Sequence, residues 1–282
     1  MRAHLLDAAR VVITLHQTMK PLTLLLLLAL PVMVQAQFTF TTNDGAISIA
    51  KYTGAGGAVT IPNMVKGLPV TAIGTNAFFG CISLSSITIP KSITSVGDNA
   101  FSYCLRLASV AFGKNITKIG SGAFFDCINL PDVTIPASVT SIGNNPFGSC
   151  SQLTAITVDE LNSVYSSVDG VLFNKSQSKL IQYPGGKAGP YTIPQSVTTL
   201  DGCSFTACTG LTSVTIPKTV TDMGIGTFHF CSSLKNVYFK GNNPGLDWDL
   251  FSSDSKATIN YLPGTTGWGA TFGGRPTALW KP

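Results

Sequence analysis

Six cysteines, Cys81, Cys104, Cys127, Cys150, Cys208 and Cys231, mark this chain like a ruler, because the first three intervals and the last are all the same step of 23. Phe78, Phe101, Phe124, Phe147, Phe205 and Phe228 keep the same beat, each three positions ahead of its cysteine. The one odd interval, from Cys150 to Cys208, equals one period plus 35. A unit this short cannot bury its own apolar face. Its copies must stack, and the chain is predicted to grow as a solenoid in one direction.

Each column of the repeat has a physical role. Leu84, Ile87 and Ile89 follow an L-x-x-L-x-L spacing, and the last two alternate with Ser86 and Thr88 as a half-buried strand requires. Ile87 and Ile89 are predicted to point inward, Ser86 and Thr88 outward. Proline recurs after the strand at Pro62, Pro90, Pro136, Pro194 and Pro217, where it ends a ladder and fixes a turn. Glycine follows the second apolar pair at Gly74, Gly97, Gly120, Gly143 and Gly224, calling for either a positive φ or a close backbone approach. The Ala100-Phe101 step and its equivalents are read as one helical or 3₁₀ turn.

These residues resemble the BspA-type leucine-rich repeats, a bacterial subfamily. The resemblance is carried by Ile135-Pro136 through Val139-Thr140-Ser141-Ile142-Gly143 to Phe147 and Cys150, and by Ile216-Pro217 through Val220-Thr221 to Phe228 and Cys231. It spans residues 58 to 240. Leu200-Asp201, Gly113-Lys114 and Pro146 depart from the pattern, so their coils are expected to bend locally. The resemblance implies an α/β-type leucine-rich-repeat solenoid of short strands and single helical turns, right-handed and curved, with β-rich caps. It further implies display outside the cell for binding or adhesion, without naming a ligand.

Four segments follow. Residues 1–36 read as a signal peptide, with Lys20, the apolar run Leu22 to Leu30, and Val34-Gln35-Ala36 before Gln37; Met19 makes a tidier start than Met1. Pro21 to Val34 is shorter than the about 20 residues a membrane span needs, so no stable span is expected after cleavage. Residues 37–57 form an N-terminal β cap around Asn43-Asp44-Gly45. The repeats of 58–240 carry a β-hairpin insertion near 159–190, where Val164 to Phe173 alternates around Asp169-Gly170. Residues 241–282 form an aromatic, Gly-rich cap that holds every tryptophan of the chain, Trp248, Trp268 and Trp280.

Charge narrows the function. From Gln37 onward there are 15 Lys/Arg against 12 Asp/Glu and no basic run, which argues against nucleic acid. The six columnar cysteines suit small buried thiols rather than disulfides; Cys203, in the coil of Cys208, leaves a bridge between those two open. No C-x-x-C pair exists and His229 is the only histidine after Gln37, so neither a metal nor a cofactor is expected. His229 lies between Phe228 and Phe230 with no G-x-S-x-G elbow, and acids such as Asp247 and Asp249 read as loop residues, so no catalytic residue is assigned. The chain is read as an exported, secreted or cell-surface, non-catalytic binding protein for an extracellular or cell-surface protein.

Its candidate site is the concave strand face, with Ser86, Thr88, Asp132, Thr134, Thr157, Ser213, Thr215, Asn236 and Tyr238 outward. The alternative is a carbohydrate-binding module in which Trp248, Trp268 and Trp280 meet a polysaccharide. A secreted glycan-active enzyme stands third, resting on Asp247 and Asp249.

Overall fold

The computed structural model describes residues 37–245, 249–251 and 256–282. The leader with its alternative start at Met19, Asp247 and Trp248 therefore lie outside the described residues.

Two ladders of short parallel strands run the length of the repeats. The first holds Gly57–Thr60, Leu84–Thr88 and Ser109–Ala111, then Asp132–Ile135 with Ala155–Val158. It resumes with Gly189–Thr192, Leu211–Ile216, Asn236–Phe239, Thr258–Tyr261 and Arg275–Leu279, against which Thr271–Phe272 turns back antiparallel. The second ladder starts from the antiparallel hairpin Phe38–Asn43 and Ala46–Tyr52 and continues through Leu68–Ile73, Ser95–Val96, Lys118–Ile119 and Ser141–Ile142. Period-two alternation sends Ile87, Ile89, Val133, Ile135, Val214 and Ile216 into the core, all at most 2% exposed. After four of the strands a proline carbonyl, of Pro90, Pro136, Pro194 or Pro217, accepts the amide three positions on, as in Ile93 N to Pro90 O at 3.1 Å and Val139 N to Pro136 O at 3.2 Å.

The glycine column answers a close approach and not a positive φ. A β-carbon on Gly97 would lie 2.6 Å from Thr75 N of the preceding coil, and one on Gly120 would lie 2.5 Å from Asp98 N. Any other residue would push the coils apart.

The turn that carries the phenylalanines is not helical, and no helix occurs among the described residues. The expectation of a helical or 3₁₀ turn fails because alternate amides leave the coil. Ala77 N and Phe79 N bond back to Gly74 O and Asn76 O, whereas Asn76 N, Phe78 N and Gly80 N donate to Asp98 O, Ala100 O and Ser102 O of the next coil. A helix would keep every amide within its own segment. The alternation is built from left-handed residues four apart, at Asn76 and Gly80, Asn99 and Tyr103, Gly122 and Asp126, Asn145 and Ser149. These turns make a third hydrogen-bonded face.

Inside that face the rings stack. Tyr52, Phe78, Phe101, Phe124 and Phe147 follow at centroid separations of 5.0, 4.8, 5.0 and 5.5 Å. Tyr183, Phe205, Phe228 and Phe251 follow at 5.0, 5.1 and 5.3 Å. The core divides at the same place, between clusters meeting within Val171-Leu172-Phe173.

Between the two stacks, Tyr165–Val168, Val171–Asn174 and Lys179–Gln182 form an antiparallel meander. Its last strand pairs in parallel with Thr199–Leu200, which pairs with Asp222–Met223, so the second ladder restarts from the meander. Of the three departures from the repeat, Gly113 coincides with a gap in the first ladder, between Ser109–Ala111 and Asp132–Ile135. Pro146 keeps the coil register, accepting Phe124 N at 2.8 Å. Asp201 pairs with Lys179 at 2.9 Å, tying its coil to the meander.

Candidate binding face

The outward positions of the first ladder sit on strands whose inward residues are locked in the core, so their side chains are held in fixed rows. Thr88, Asp132, Thr134 and Thr157 are exposed; Ser86, Ser213, Thr215, Asn236 and Tyr238 are half-buried. The register sets Thr134 beside Thr157, Ser213 beside Asn236 and Thr215 beside Tyr238. The Thr134 and Thr157 hydroxyls are 2.9 Å apart, one donating to the other, and Thr157 Oγ1 also donates to Val133 O at 3.3 Å. The nine residues fall on three separate stretches of ladder, not on one continuous sheet.

The second ladder has its own threonine row. Thr94, Thr117 and Thr140 are exposed, yet each hydroxyl donates to the backbone carbonyl of the coil before, at 3.2, 3.1 and 3.4 Å. These hydroxyls tie coils together.

Of the tail aromatics, Trp268 is half-buried and packs against the core. Its ring stacks on Tyr261 at 5.3 Å and packs against Phe239 and Phe272, and its Nε1 donates to Thr265 Oγ1 at 3.0 Å. Trp280 behaves differently. Equally half-buried, it turns its ring onto Tyr238 at 4.8 Å, joining the proposed ladder site to the proposed tail site. Beside Tyr238 in register lies Asn260, whose Nδ2 donates to Asn236 Oδ1 at 3.2 Å. The sequence hid this cluster because the tail lacks the period of the repeats. Phe251 was legible in principle, lying one period after Phe228.

All seven cysteines are free. Cys104, Cys127, Cys150 and Cys231 are buried and donate to the carbonyls of Phe78, Phe101, Phe124 and Phe205, one coil and three positions back, at 3.0 to 3.2 Å. Burial pushes the Cys104 thiol up to about 12. Cys208 is raised by burial and by the neighbouring Cys231 thiol. Such thiols are packing groups, while Cys81 and Cys203 are only half-buried.

Among the described residues no cluster of three His, Cys, Asp or Glu has the arrangement of a metal site. No described helix is long and apolar enough to cross a membrane. His229 Nε2 lies 3.1 Å from Asp249 Oδ1, so one of the acids read as a scattered loop residue is the partner of the histidine.

A family model for the BspA type leucine rich repeat region matches residues 59–186 and 189–269, in six copies. A leucine-rich repeat protein from Eubacterium ventriosum is similar in fold, with a TM-score of 0.52 at 23% identity over 78% of this chain and 75% of that one. The leucine rich repeat protein of T. pallidum gives 0.46 at 24% identity over 71% and 88%. A leucine rich cell surface protein from Faecalibacterium prausnitzii gives 0.40 at 24% over 82% and 88%. No curated protein sequence matches the chain.

Proposed function

The chain belongs to the BspA-type leucine-rich repeat family, and from that premise we propose that it is an exported, non-catalytic binding protein whose first ladder recognises a protein outside the cell or on its surface. The observation that carries this reading is the exposed Thr134 and Thr157 pair on two strands whose inward Val133, Ile135 and Ile156 are fully buried. Side chains already fixed by the fold lose little freedom when a partner arrives. In this reading the ladder is the concave side of a right-handed curve, residues 1–36 are removed on export, and the segments 37–57 and 241–282 cap the stack. N-terminal sequencing of secreted chain should begin at Gln37. Thr134→Arg with Thr157→Arg should abolish capture of the partner from extracellular fluid or neighbouring cell surfaces without lowering the melting temperature. Capture that survives this pair but fails with Thr117→Arg and Thr140→Arg would move recognition to the second ladder.

A second reading, recognition of a polysaccharide, is favoured by the Tyr238 and Trp280 rings beside the Asn236–Asn260 pair. Aromatic faces suit the C–H faces of sugar rings, and paired amides offer hydroxyls a donor and an acceptor. A glycan array decides it: binding that Trp280→Ala removes at unchanged stability supports the polysaccharide. Trp268 is the wrong residue for that test, because its ring packs on Phe239, Tyr261 and Phe272 and its loss would strip that packing.

A further inference from the structure

Cys203, Gly226 and Asp249 occupy one column of three successive coils, each one full period after the last. All three hold a left-handed backbone, with φ of 58°, 68° and 56°. Cys203 N donates to Ile225 O at 2.9 Å and Gly226 N to Asp249 O at 2.7 Å, which fixes the spacing of the coils. The middle glycine leaves a slot. A β-carbon on Gly226 would lie 3.0 Å from Cys203 Sγ and 3.2 Å from His229 Nδ1, so the thiol and the imidazole border the same open slot. The thiol's other polar neighbour, Ile225 O, is a long contact at 3.8 Å. The far nitrogen of the ring, Nε2, meets Asp249 Oδ1 at 3.1 Å. Earlier coils place Asn76, Asn99, Gly122 and Asn145 in this column and have no histidine near it. Cys203 is half-buried, unlike the five thiols sealed in the core.

We propose that Cys203, His229 and Asp249 form a nucleophilic thiol site that exchanges with accessible disulfides. Asp249 accepts a hydrogen bond from Nε2–H and so leaves Nδ1, at the slot it shares with the thiol, as the free acceptor; it is a positioning residue. His229 takes the proton of Cys203, and the thiolate attacks one sulfur of the disulfide R–S–S–R. A bond forms between Cys203 Sγ and that sulfur. The original S–S bond breaks, its electron pair leaves on the second sulfur, and that sulfur takes the proton from His229. Cys203 is thereby oxidised to a mixed disulfide and one R–SH is released per chain. This stoichiometric capture is separate from recognition by the strand ladder.

The test uses the full chain with two probes, Ellman's reagent and glutathione disulfide, and locates each adduct by peptide mass spectrometry. Cys203 should be the first thiol modified, about tenfold or more ahead of Cys81, which is equally half-buried but has no histidine. His229→Gln should slow modification of Cys203 by at least about tenfold at neutral pH. Asp249→Asn should shift the pH profile of the rate, and Asp249→Glu should restore it. If Cys203 reacts no faster than Cys81, or His229→Gln leaves its rate unaltered in a chain that still melts normally, the proposal is wrong. The unmodified protein gives a check that needs no variant: a rate that follows a lone thiol ionisation, with no contribution from a second group, also overturns it.

Discussion

The regular coils from Cys81 to Cys150 and the interrupted stretch from Asp159 to Pro184 meet the same demand by different means. In the regular coils, backbone meets backbone: the amides of Phe78, Phe101 and Phe124 find carbonyls of the next coil, and the buried thiols of Cys104, Cys127 and Cys150 return to carbonyls of the coil before. In the interrupted stretch, side chains replace those partners. Asn162, 1% exposed, donates to Pro136 O and Val139 O and accepts from Val164 N and Tyr165 N, at 2.8 to 3.0 Å. The Tyr165 hydroxyl accepts Ile142 N at 2.9 Å, and Asn174 accepts Lys179 N while reaching Ser176 and Ser178. A solenoid can therefore absorb an irregular coil if polar side chains satisfy the amides that the missing repeat would have met.

The largest expected effect lies in the regular half. Phe124 is fully buried between Phe101 and Phe147, and Phe124→Ala should cost about 3–5 kcal/mol, measured by chemical denaturation, because stacked coils cannot close on the cavity. Phe147→Ala should cost less, since among the described residues its ring stacks on Phe124 alone. Equal losses would mean that continuity of the stack is not what the ring contributes.

The second effect tests the interrupted half. Asn162→Ala removes the partner of Val139 O, Val164 N and Tyr165 N and one of the two donors to Pro136 O, and should cost roughly 2–3 kcal/mol. Asn162→Asp should not rescue it, because a carboxylate cannot donate to Pro136 O and Val139 O. A loss below about 0.5 kcal/mol in either variant would show that water enters freely and that the side chains are not standing in for backbone.

The contrast also explains what was legible in the sequence. The period, the inward isoleucines and the ring column followed from spacing, because packing repeats wherever the coil repeats. The turn was misread as helical since Ala-Phe steps suit a helix locally; only the neighbouring coil reveals that alternate amides are drawn outward. Tyr52 and Tyr183 occupy the ring column off the ruler and with a hydroxyl attached, the first too far ahead of Phe78 for the period and the second too close to Phe205. Alternation alone placed the candidate residues on the outward side of their strands, but the contact of Tyr238 with Trp280 joins segments that share no repeat. The approach of Cys203 to His229 was hidden for a related reason: it depends on the side chain that Gly226 lacks.

Alkaline pH tests the burial of the regular coils by a smaller effect. The Cys104 thiol, at about 12 in the folded chain against an ordinary 9.0, keeps its proton where the unfolded chain loses it. Its contribution is intact below about pH 9 and is lost as pH rises toward 12, so stability should fall across that window. Cys104→Ala should flatten the fall in melting temperature over that range. Identical slopes in parent and Cys104→Ala would show that its burial is not coupled to unfolding.

The smallest effect distinguishes the two threonine rows and bears most directly on recognition. Thr117 and Thr88 are both exposed and both lie on short strands or their approach, yet Thr117 Oγ1 donates to Thr94 O whereas the Thr88 hydroxyl has no hydrogen-bond partner among the described residues. Replacing threonine by valine keeps the branched shape and removes only the hydroxyl, so strand propensity cancels from the comparison. Thr117→Val should cost about 0.5–1 kcal/mol, the net worth of one such bond, and Thr88→Val should stay within about 0.3 kcal/mol of the parent. That ordering would mean the second ladder uses its hydroxyls to hold the coils, leaving the first ladder's rows free to change with the partner. If Thr88→Val proves the costlier, the first ladder is itself under structural constraint, and a ligand would have to be sought on the face where the turns stack.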